Sequence, residues 1–131
     1  MIIAIDVGNT RIKAAVFEGS TILESFVFSK NELGENIENI LKKYKKVTHL
    51  VVSSVSDIEK RSFSEFENLV DIHFVSNNDS FPFTNSYKTP RTLGVDRMVL
   101  AAGATLQFPN QGRLVIDAGT CVTYDFIVES N

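Results

Sequence analysis

The sequence is poor in cysteine, and this restricts both its redox chemistry and its metal chemistry. Its 131 residues include one cysteine, Cys121, so no disulfide can form within the chain. The two histidines, His49 and His73, lie far from that thiol and lack the spacing of a zinc site. A single thiol is typical of a reducing compartment, so we expect a cytoplasmic protein in which Cys121 is a small buried residue.

An excess of positive charge and long apolar runs are also lacking. Thirteen Lys and Arg against sixteen Asp and Glu give a formal net charge of -3, and the basic stretch Lys42–Lys46 falls at a predicted helix end, where cations complement the helix dipole. No apolar run approaches the length of roughly 20 residues that spans a bilayer, and Met1–Ile5 is shorter than a signal-peptide core. We therefore expect a soluble protein that binds neither nucleic acid nor membrane.

Alternating apolar residues predict three neighbouring antiparallel strands at 2–6, 11–17 and 21–28. A capping-box pattern from Ser29 to Glu32 then begins an amphipathic helix. A buried strand follows at 48–53, then a weaker helix, then a strand at 72–76. The apolar residues of the weaker helix are Ile58, Phe66, Leu69 and Val70. This order predicts an α/β fold with a mixed five-stranded sheet, as in ribonuclease-H-like domains.

The rest of the chain reads as a surface loop, a helix and a hairpin. Residues 77–90 are polar apart from three aromatic residues, and a helix is predicted at about 96–106. Residues 113–117 and 121–128 then repeat the pattern of the opening hairpin. We expect residues 1–112 to form an N-terminal domain and residues 113–131 to be the first hairpin of a second, similar domain.

Both predicted hairpins contain the same short motif. Asp6–Thr10 reads D-V-G-N-T and Asp117–Thr120 reads D-A-G-T, each directly after an apolar strand. A glycine at positive φ would allow a tight turn whose N–H groups bind an anion, while the hydroxyls add donors and the carboxylate can bind a divalent cation. A single copy is more simply explained as an Asp that bonds its own turn. Two copies favour a nucleotide bound between two similar half-domains.

The stretch from Thr89 to Arg97, T-P-R-T-L-G-V-D-R, is the third motif. Together with Asp6–Thr10 and Lys13, and with Asp117–Thr120 and Thr123, it resembles the type III pantothenate kinases of the acetate-kinase, sugar-kinase, Hsp70 and actin superfamily. The resemblance runs from Met1 to about Asp125 and corresponds to the N-terminal half of that family.

The resemblance implies ATP-dependent phosphorylation of pantothenate to 4'-phosphopantothenate, the first step toward coenzyme A, with Mg²⁺, with K⁺ or NH₄⁺, and in a homodimer. Asp96 would be the general base at a helix start that favours its carboxylate form, and Arg97 would bind the substrate carboxylate. Asp6 would position magnesium and Asp117 potassium. The implied ATP-binding residues are Asp6, Val7, Gly8, Asn9, Thr10, Arg11, Ile12, Lys13 and Thr120. The implied substrate-binding residues are Tyr87, Gly94, Val95, Asp96 and Arg97.

Simpler explanations remain open for the same residues. Asp96 could be only a helix N-cap with Arg97 its solvated neighbour, Lys13 could point outward from its strand, and Tyr87 could pack with Phe81 and Phe83. At the level of function, the alternatives are a catalytically incomplete or regulatory nucleotide-binding module and a metal-dependent nuclease. The acidic charge and the glycine-hydroxyl context of both Asp turns argue against the nuclease.

Overall fold

The computed structural model describes residues 1–54, 60–119 and 121–128. It divides into two compact units, Met1–Val75 and Ser76–Asn131. The predicted division into domains 1–112 and 113–131 stays a prediction. Ile58 and Thr120, both used in the sequence argument, lie outside the described residues.

The first unit is a five-stranded sheet in the order β3-β2-β1-β4-β5. Strands β1 to β3 are antiparallel neighbours, whereas β4 runs parallel to β1 and β5 parallel to β4. This confirms the predicted α/β fold with a mixed sheet. The elements are β1 (Ile2–Val7), β2 (Ile12–Glu18), β3 (Thr21–Phe28), α1 (Leu33–Lys43), β4 (His49–Ser54) and β5 (Asp71–Phe74).

One face of the sheet forms the core of this unit. Side chains alternate between the two faces of a strand, so every second residue of β1 and β2 is buried while the residues between them face the other way. Helix α1 adds its own apolar stripe to the same core. Asp6 and Lys13 therefore lie on the face opposite the core. The buried residues of these three elements are Ile3, Ile5, Val7, Ile12, Ala14, Val16, Leu33, Ile37 and Ile40.

The predicted capping box before α1 is confirmed. The Ser29 N–H donates to Glu32 Oε2 at 2.9 Å, and the Ser29 hydroxyl donates to the same oxygen at 2.5 Å. These bonds lower the pKa of Glu32. A 3₁₀ turn at Lys30–Glu32 follows Ser29 and leads into α1.

The segment after β4 differs from the prediction of an amphipathic α-helix. Its described part is a 3₁₀ run, Lys60–Phe66. Phe63 and Phe66 point the same way because a 3₁₀ helix has three residues per turn, and both are buried. Val70 is buried as predicted, but Leu69 is 67% exposed.

The second unit contains a helix and a two-stranded antiparallel sheet. Its elements are a 3₁₀ turn at Pro90–Thr92, α2 (Val95–Gln107), β6 (Arg113–Ala118) and β7 (Val122–Ile127). Helix α2 contacts both strands. Cys121 is exposed in the turn between the strands, so the prediction that it is buried was wrong.

The outer face of this hairpin is apolar and exposed. Its positions match the core positions of β1 and β2 when the two D-x-G motifs are aligned, which is the pattern expected of a second hairpin of the same kind. The exposed residues are Leu114, Ile116, Val122, Tyr124, Phe126 and Val128. Among the described residues, neither helix is long and apolar enough to cross a membrane.

Candidate functional site

Asp6 lies at the carboxyl end of β1 between two polar neighbours. It pairs with Lys13 of β2 in the antiparallel ladder and with Ser53 of β4 in the parallel ladder. Directly paired residues have Cβ atoms about 5 Å apart on one face of a sheet. The exposed position of Lys13 agrees with the outward orientation that the sequence allowed. A carboxylate, an ammonium group and a hydroxyl are thus gathered where ligands bind to open α/β sheets.

Ser53 was missed by the sequence argument. It is 8% exposed, and its Oγ is buried with no hydrogen-bond partner among the residues that the structure describes. Leaving such a group unsatisfied costs about 1–3 kcal/mol. The available signal was its position after the apolar run of β4, beside the end of β1.

The turn after Asp6 is closed by a backbone hydrogen bond in which the Gly8 N–H donates to the Arg11 carbonyl at 3.1 Å. The predicted positive φ at Gly8 was wrong. Glycine is favoured here by close approach instead, since an added Cβ would lie 3.1 Å from the Arg11 oxygen. Asn9, Thr10 and Arg11 are exposed, so the turn presents both polar side chains and backbone to solvent.

Two of the predicted phosphate-binding residues cannot use their side chains. Val7 and Ile12 are 0% exposed and belong to the core. Their contribution to a ligand is therefore restricted to the backbone on either side of the turn.

The second D-x-G turn has the same construction with one residue fewer. The Gly119 N–H donates to the Cys121 carbonyl at 3.1 Å, and here too positive φ was wrongly predicted. Asp117 pairs with Thr123 across the ladder, as Asp6 pairs with Lys13. Thr123 Oγ1 is buried without a hydrogen-bond partner in the described part of the chain.

Hydrogen bonds shape the segment that precedes α2. Asn77 Nδ2 donates to the Leu93 carbonyl at 2.8 Å and to the Pro90 carbonyl at 3.2 Å. The Thr92 N–H donates to the Thr89 carbonyl at 2.9 Å and closes the 3₁₀ turn, and the Thr92 hydroxyl donates to the same carbonyl at 2.9 Å. These bonds fix the chain that leads into Gly94.

Gly94 is the N-cap of α2, which places Val95 and Asp96 in the first turn. Asp96 is therefore not the N-cap, contrary to the simpler explanation of its position. The Asp96 carboxylate folds back toward Gly94. A Cβ added at Gly94 would overlap Asp96 Oδ1. The positive end of the helix dipole stabilises a carboxylate at this position.

Arg97 is not a solvated neighbour of Asp96. Its Nε–H donates to Asp125 Oδ2 at 2.9 Å and its Nη2–H donates to Asp125 Oδ1 at 2.5 Å. This two-point ion pair raises the pKa of Arg97 above its ordinary value, chiefly through the hydrogen bonds. Arg97 Cζ also lies 5.4 Å from the centre of the Tyr87 ring, a cation-π distance.

The structure therefore brings Tyr87 and Arg97 together and adds Asp125, which the sequence argument missed. The available signal was weak: Thr123 and Asp125 are polar at alternate positions of an otherwise apolar strand. Phe81 and Phe83 pack with each other, their ring centres 5.6 Å apart.

Among residues 1–54, 60–119 and 121–128 there is no cluster of three or more His, Cys, Asp or Glu side chains that could hold a metal ion. Each D-x-G turn contains one carboxylate, that of Asp6 or Asp117.

Comparison with known proteins agrees with the motifs. A relative in Flavobacterium johnsoniae described as a type III pantothenate kinase is 65% identical over 131 residues, which is 100% of this chain and 54% of the relative. The corresponding protein of Flavobacterium psychrophilum is 54% identical over the same coverage. The chain spans about half the length of the curated relatives it matches.

Structural comparison supports the fold alone. A crystal structure from Campylobacter jejuni, assigned to the Baf family of transcriptional activators, matches with a TM-score of 0.53 at 21% identity, covering 98% of this chain and 49% of the other. A family model described as type III pantothenate kinase matches residues 2–131. The chain belongs to the type III pantothenate kinase family.

Proposed function

We propose that this chain provides the phosphate-binding and acceptor-binding residues of an ATP-dependent kinase that converts pantothenate to 4'-phosphopantothenate in coenzyme A biosynthesis. The observation that carries the proposal is the first turn of α2, where a carboxylate and a fixed guanidinium stand on the adjacent residues Asp96 and Arg97. An alcohol acceptor that also has a carboxylate needs both a base and a cation.

The turn after β1 supplies the residues that we propose for binding ATP. Phosphoryl transfer depends mainly on alignment and on neutralising charge on the phosphate oxygens. The exposed residues Asn9, Thr10 and Arg11 offer N–H groups and side-chain donors. Lys13 adds a cation on the same sheet face as Asp6. Thr120 stays a predicted phosphate ligand.

The donor set around Asp6 fits a magnesium ion. Mg²⁺ at kinase sites is bound through one or two carboxylates together with substrate phosphates and water. Asp6 supplies one carboxylate, and the buried Ser53 hydroxyl beside it is available for a hydrogen bond. When bound there, the ion would neutralise charge on the phosphate oxygens.

The donor set around Asp117 fits a potassium or ammonium ion. A hard monovalent cation takes oxygen ligands, and the Asp117 carboxylate faces Thr123, whose buried Oγ1 has no partner among the described residues. A cation held there would offset the negative charge of Asp117.

In the proposed reaction, the hydroxyl oxygen of pantothenate forms a bond to the γ-phosphorus of ATP, and Asp96 accepts the hydroxyl proton. The bond between the γ-phosphorus and the oxygen that leaves with ADP breaks. Arg97 and Tyr87 bind the other end of pantothenate, and the fixed position of Arg97 sets where its carboxylate lies. Gly94 leaves the room that the Asp96 carboxylate occupies.

The proposal includes a homodimer and a cytoplasmic location. In the described structure β6 and β7 form a two-stranded sheet, and this supports association because the edge of such a sheet can pair with another chain. The use of ATP as phosphoryl donor supports the cytoplasm.

The test is Asp96→Asn in the active protein. We expect the rate to fall by roughly 10²–10⁴ with little change in ATP binding, because the variant keeps its shape and loses its basicity. Asp71→Asn, the same change at an exposed position of β5, is the control. A loss below about threefold for Asp96→Asn would remove the base assignment.

A second candidate follows from the fraction of the relatives that the chain spans, 54% of the Flavobacterium johnsoniae protein. The chain alone would then be a nucleotide-binding module without turnover. ATP binding in the absence of product formation distinguishes this candidate from the kinase.

A further inference from the structure

Arg97 uses the Nε edge of its guanidinium for Asp125, and the Tyr87 side chain forms a further hydrogen bond with the group. A guanidinium carries five N–H donors, and the Nε–H and one Nη2–H point at Asp125. The remaining donors are both hydrogens of Nη1 and one of Nη2, which lie at the far end of the group. Two of these are parallel and match the spacing of a carboxylate.

We propose that Asp125 is a positioning residue that holds Arg97 so that its Nη1/Nη2 end, and not its Nε edge, binds the carboxylate of the acceptor. The inference rests on the proposed function for the identity of that acceptor. It adds a residue from a different element and assigns one edge of the guanidinium to each carboxylate.

Three elements of the second unit fix the guanidinium. Arg97 comes from α2, Asp125 from β7, and Tyr87 from the preceding loop. The side chains of Arg97 and Asp125 are 21% and 20% exposed, so their bonds are largely shielded from water. The Tyr87 ring lies against the cation at 5.4 Å and restricts rotation of its plane.

The opposite role for Asp125 is that of a competitor for Arg97, whose bonds to the guanidinium must break before the acceptor carboxylate can bind. The observed bonds favour positioning because Asp125 occupies the Nε edge and does not itself cover the Nη1/Nη2 end of the guanidinium. The two roles predict opposite effects: removing a positioning residue weakens acceptor binding, whereas removing a competitor strengthens it.

The experiment uses Asp125→Asn and Asp125→Ala in the full chain. The asparagine keeps the size of the side chain, but its NH₂ group meets an N–H of Arg97 instead of accepting from it. Asp71→Asn is the charge-matched control at an exposed position. Circular dichroism checks the fold, and the asparagine variant serves if the alanine variant fails to fold.

Two readouts are taken. The first is the ¹⁵Nε–¹Hε NMR signal of Arg97 without ligand, which reports the bond to Asp125 whatever the protein phosphorylates. The second is the dissociation constant of pantothenate compared with that of pantothenyl alcohol, in which CH₂OH replaces the carboxylate.

We expect a protected Arg97 Nε–H in the unmodified protein and exchange broadening in Asp125→Asn. Pantothenate should bind the variant at least about tenfold more weakly, with the alcohol little affected. Unchanged or tighter pantothenate binding by Asp125→Asn overturns the positioning role alone. If the unmodified protein shows the protected Nε–H but prefers the alcohol or binds neither compound, the proposed acceptor is wrong, and the ligand assigned to Arg97 is overturned with it.

Discussion

Asp117 lies directly opposite Thr123 in the ladder of the second hairpin, and the Thr123 hydroxyl is buried without a hydrogen-bond partner in the described structure. A buried hydroxyl in that state costs stability, and this supports the cation site that we propose at Asp117.

Thr123→Val tests this site because valine has nearly the same shape and lacks the hydroxyl. Without potassium, we expect the free energy of unfolding to stay level or rise by up to about 1 kcal/mol. The shift of the thermal midpoint on replacing Na⁺ with K⁺ should be lost. Thr21→Val, at an exposed position of β3, is the matched control. A variant that keeps the full potassium response would contradict the site.

Ser53→Ala makes the corresponding test beside Asp6. Removing a buried hydroxyl that has no described partner should leave the thermal midpoint of the ligand-free protein unchanged or raise it. The corresponding gain in the free energy of unfolding should be at most about 1 kcal/mol. Affinity for ATP with magnesium should fall. Ser25→Ala on exposed β3 is the control, and should change neither quantity. A marked loss of stability in Ser53→Ala would show that the hydroxyl is satisfied.

The two turn glycines should respond differently to alanine. Gly8→Ala places a Cβ against the Arg11 oxygen that accepts the closing hydrogen bond, and we expect a loss of about 1 kcal/mol or more. Gly119→Ala meets nothing within 4 Å, so it should be neutral or slightly stabilising. Urea unfolding with amide exchange in each hairpin measures both. Equal losses at the two positions would contradict the close-approach argument.

Acid should weaken the contact between β3 and α1. Lys43 and Tyr44 donate to Glu24 Oε2 at 2.7 and 2.6 Å, and these bonds lower the pKa of Glu24 below 4.5. A depressed carboxyl pKa gives stability that is present above pH 4.5 and is lost as the pH falls through the folded value.

Glu24→Gln should therefore flatten the fall of the thermal midpoint between about pH 5 and pH 3. Glu38→Gln is the control, since the Glu38–Lys42 pair is 57% and 66% exposed and contributes little to stability. An unchanged acid slope in Glu24→Gln would show that the contact does not stabilise the fold.

Local patterns were sufficient to predict the sheet, α1 and the two hairpins. Alternation defines the strands, and the Ser29 and Glu32 side chains define the start of α1 within four residues of sequence. The pair of Arg97 with Asp125 joins residues 28 apart and leaves no local signal. The conformation of Gly8 was wrongly predicted for another reason, because a D-x-G motif does not distinguish a left-handed turn from a close approach.

The central claim is tested most directly by measuring the phosphorylation of pantothenate with ATP and magnesium, with and without potassium, and detecting the product by mass spectrometry. Two proteins should be assayed. The first is the chain alone, and the second, the completed protein, is the chain joined to the part of the Flavobacterium johnsoniae relative that lies outside the matched 54%. We predict potassium-dependent 4'-phosphopantothenate from the completed protein, abolished or strongly reduced by Asp96→Asn. A folded, ATP-binding completed protein that forms no product would contradict the account.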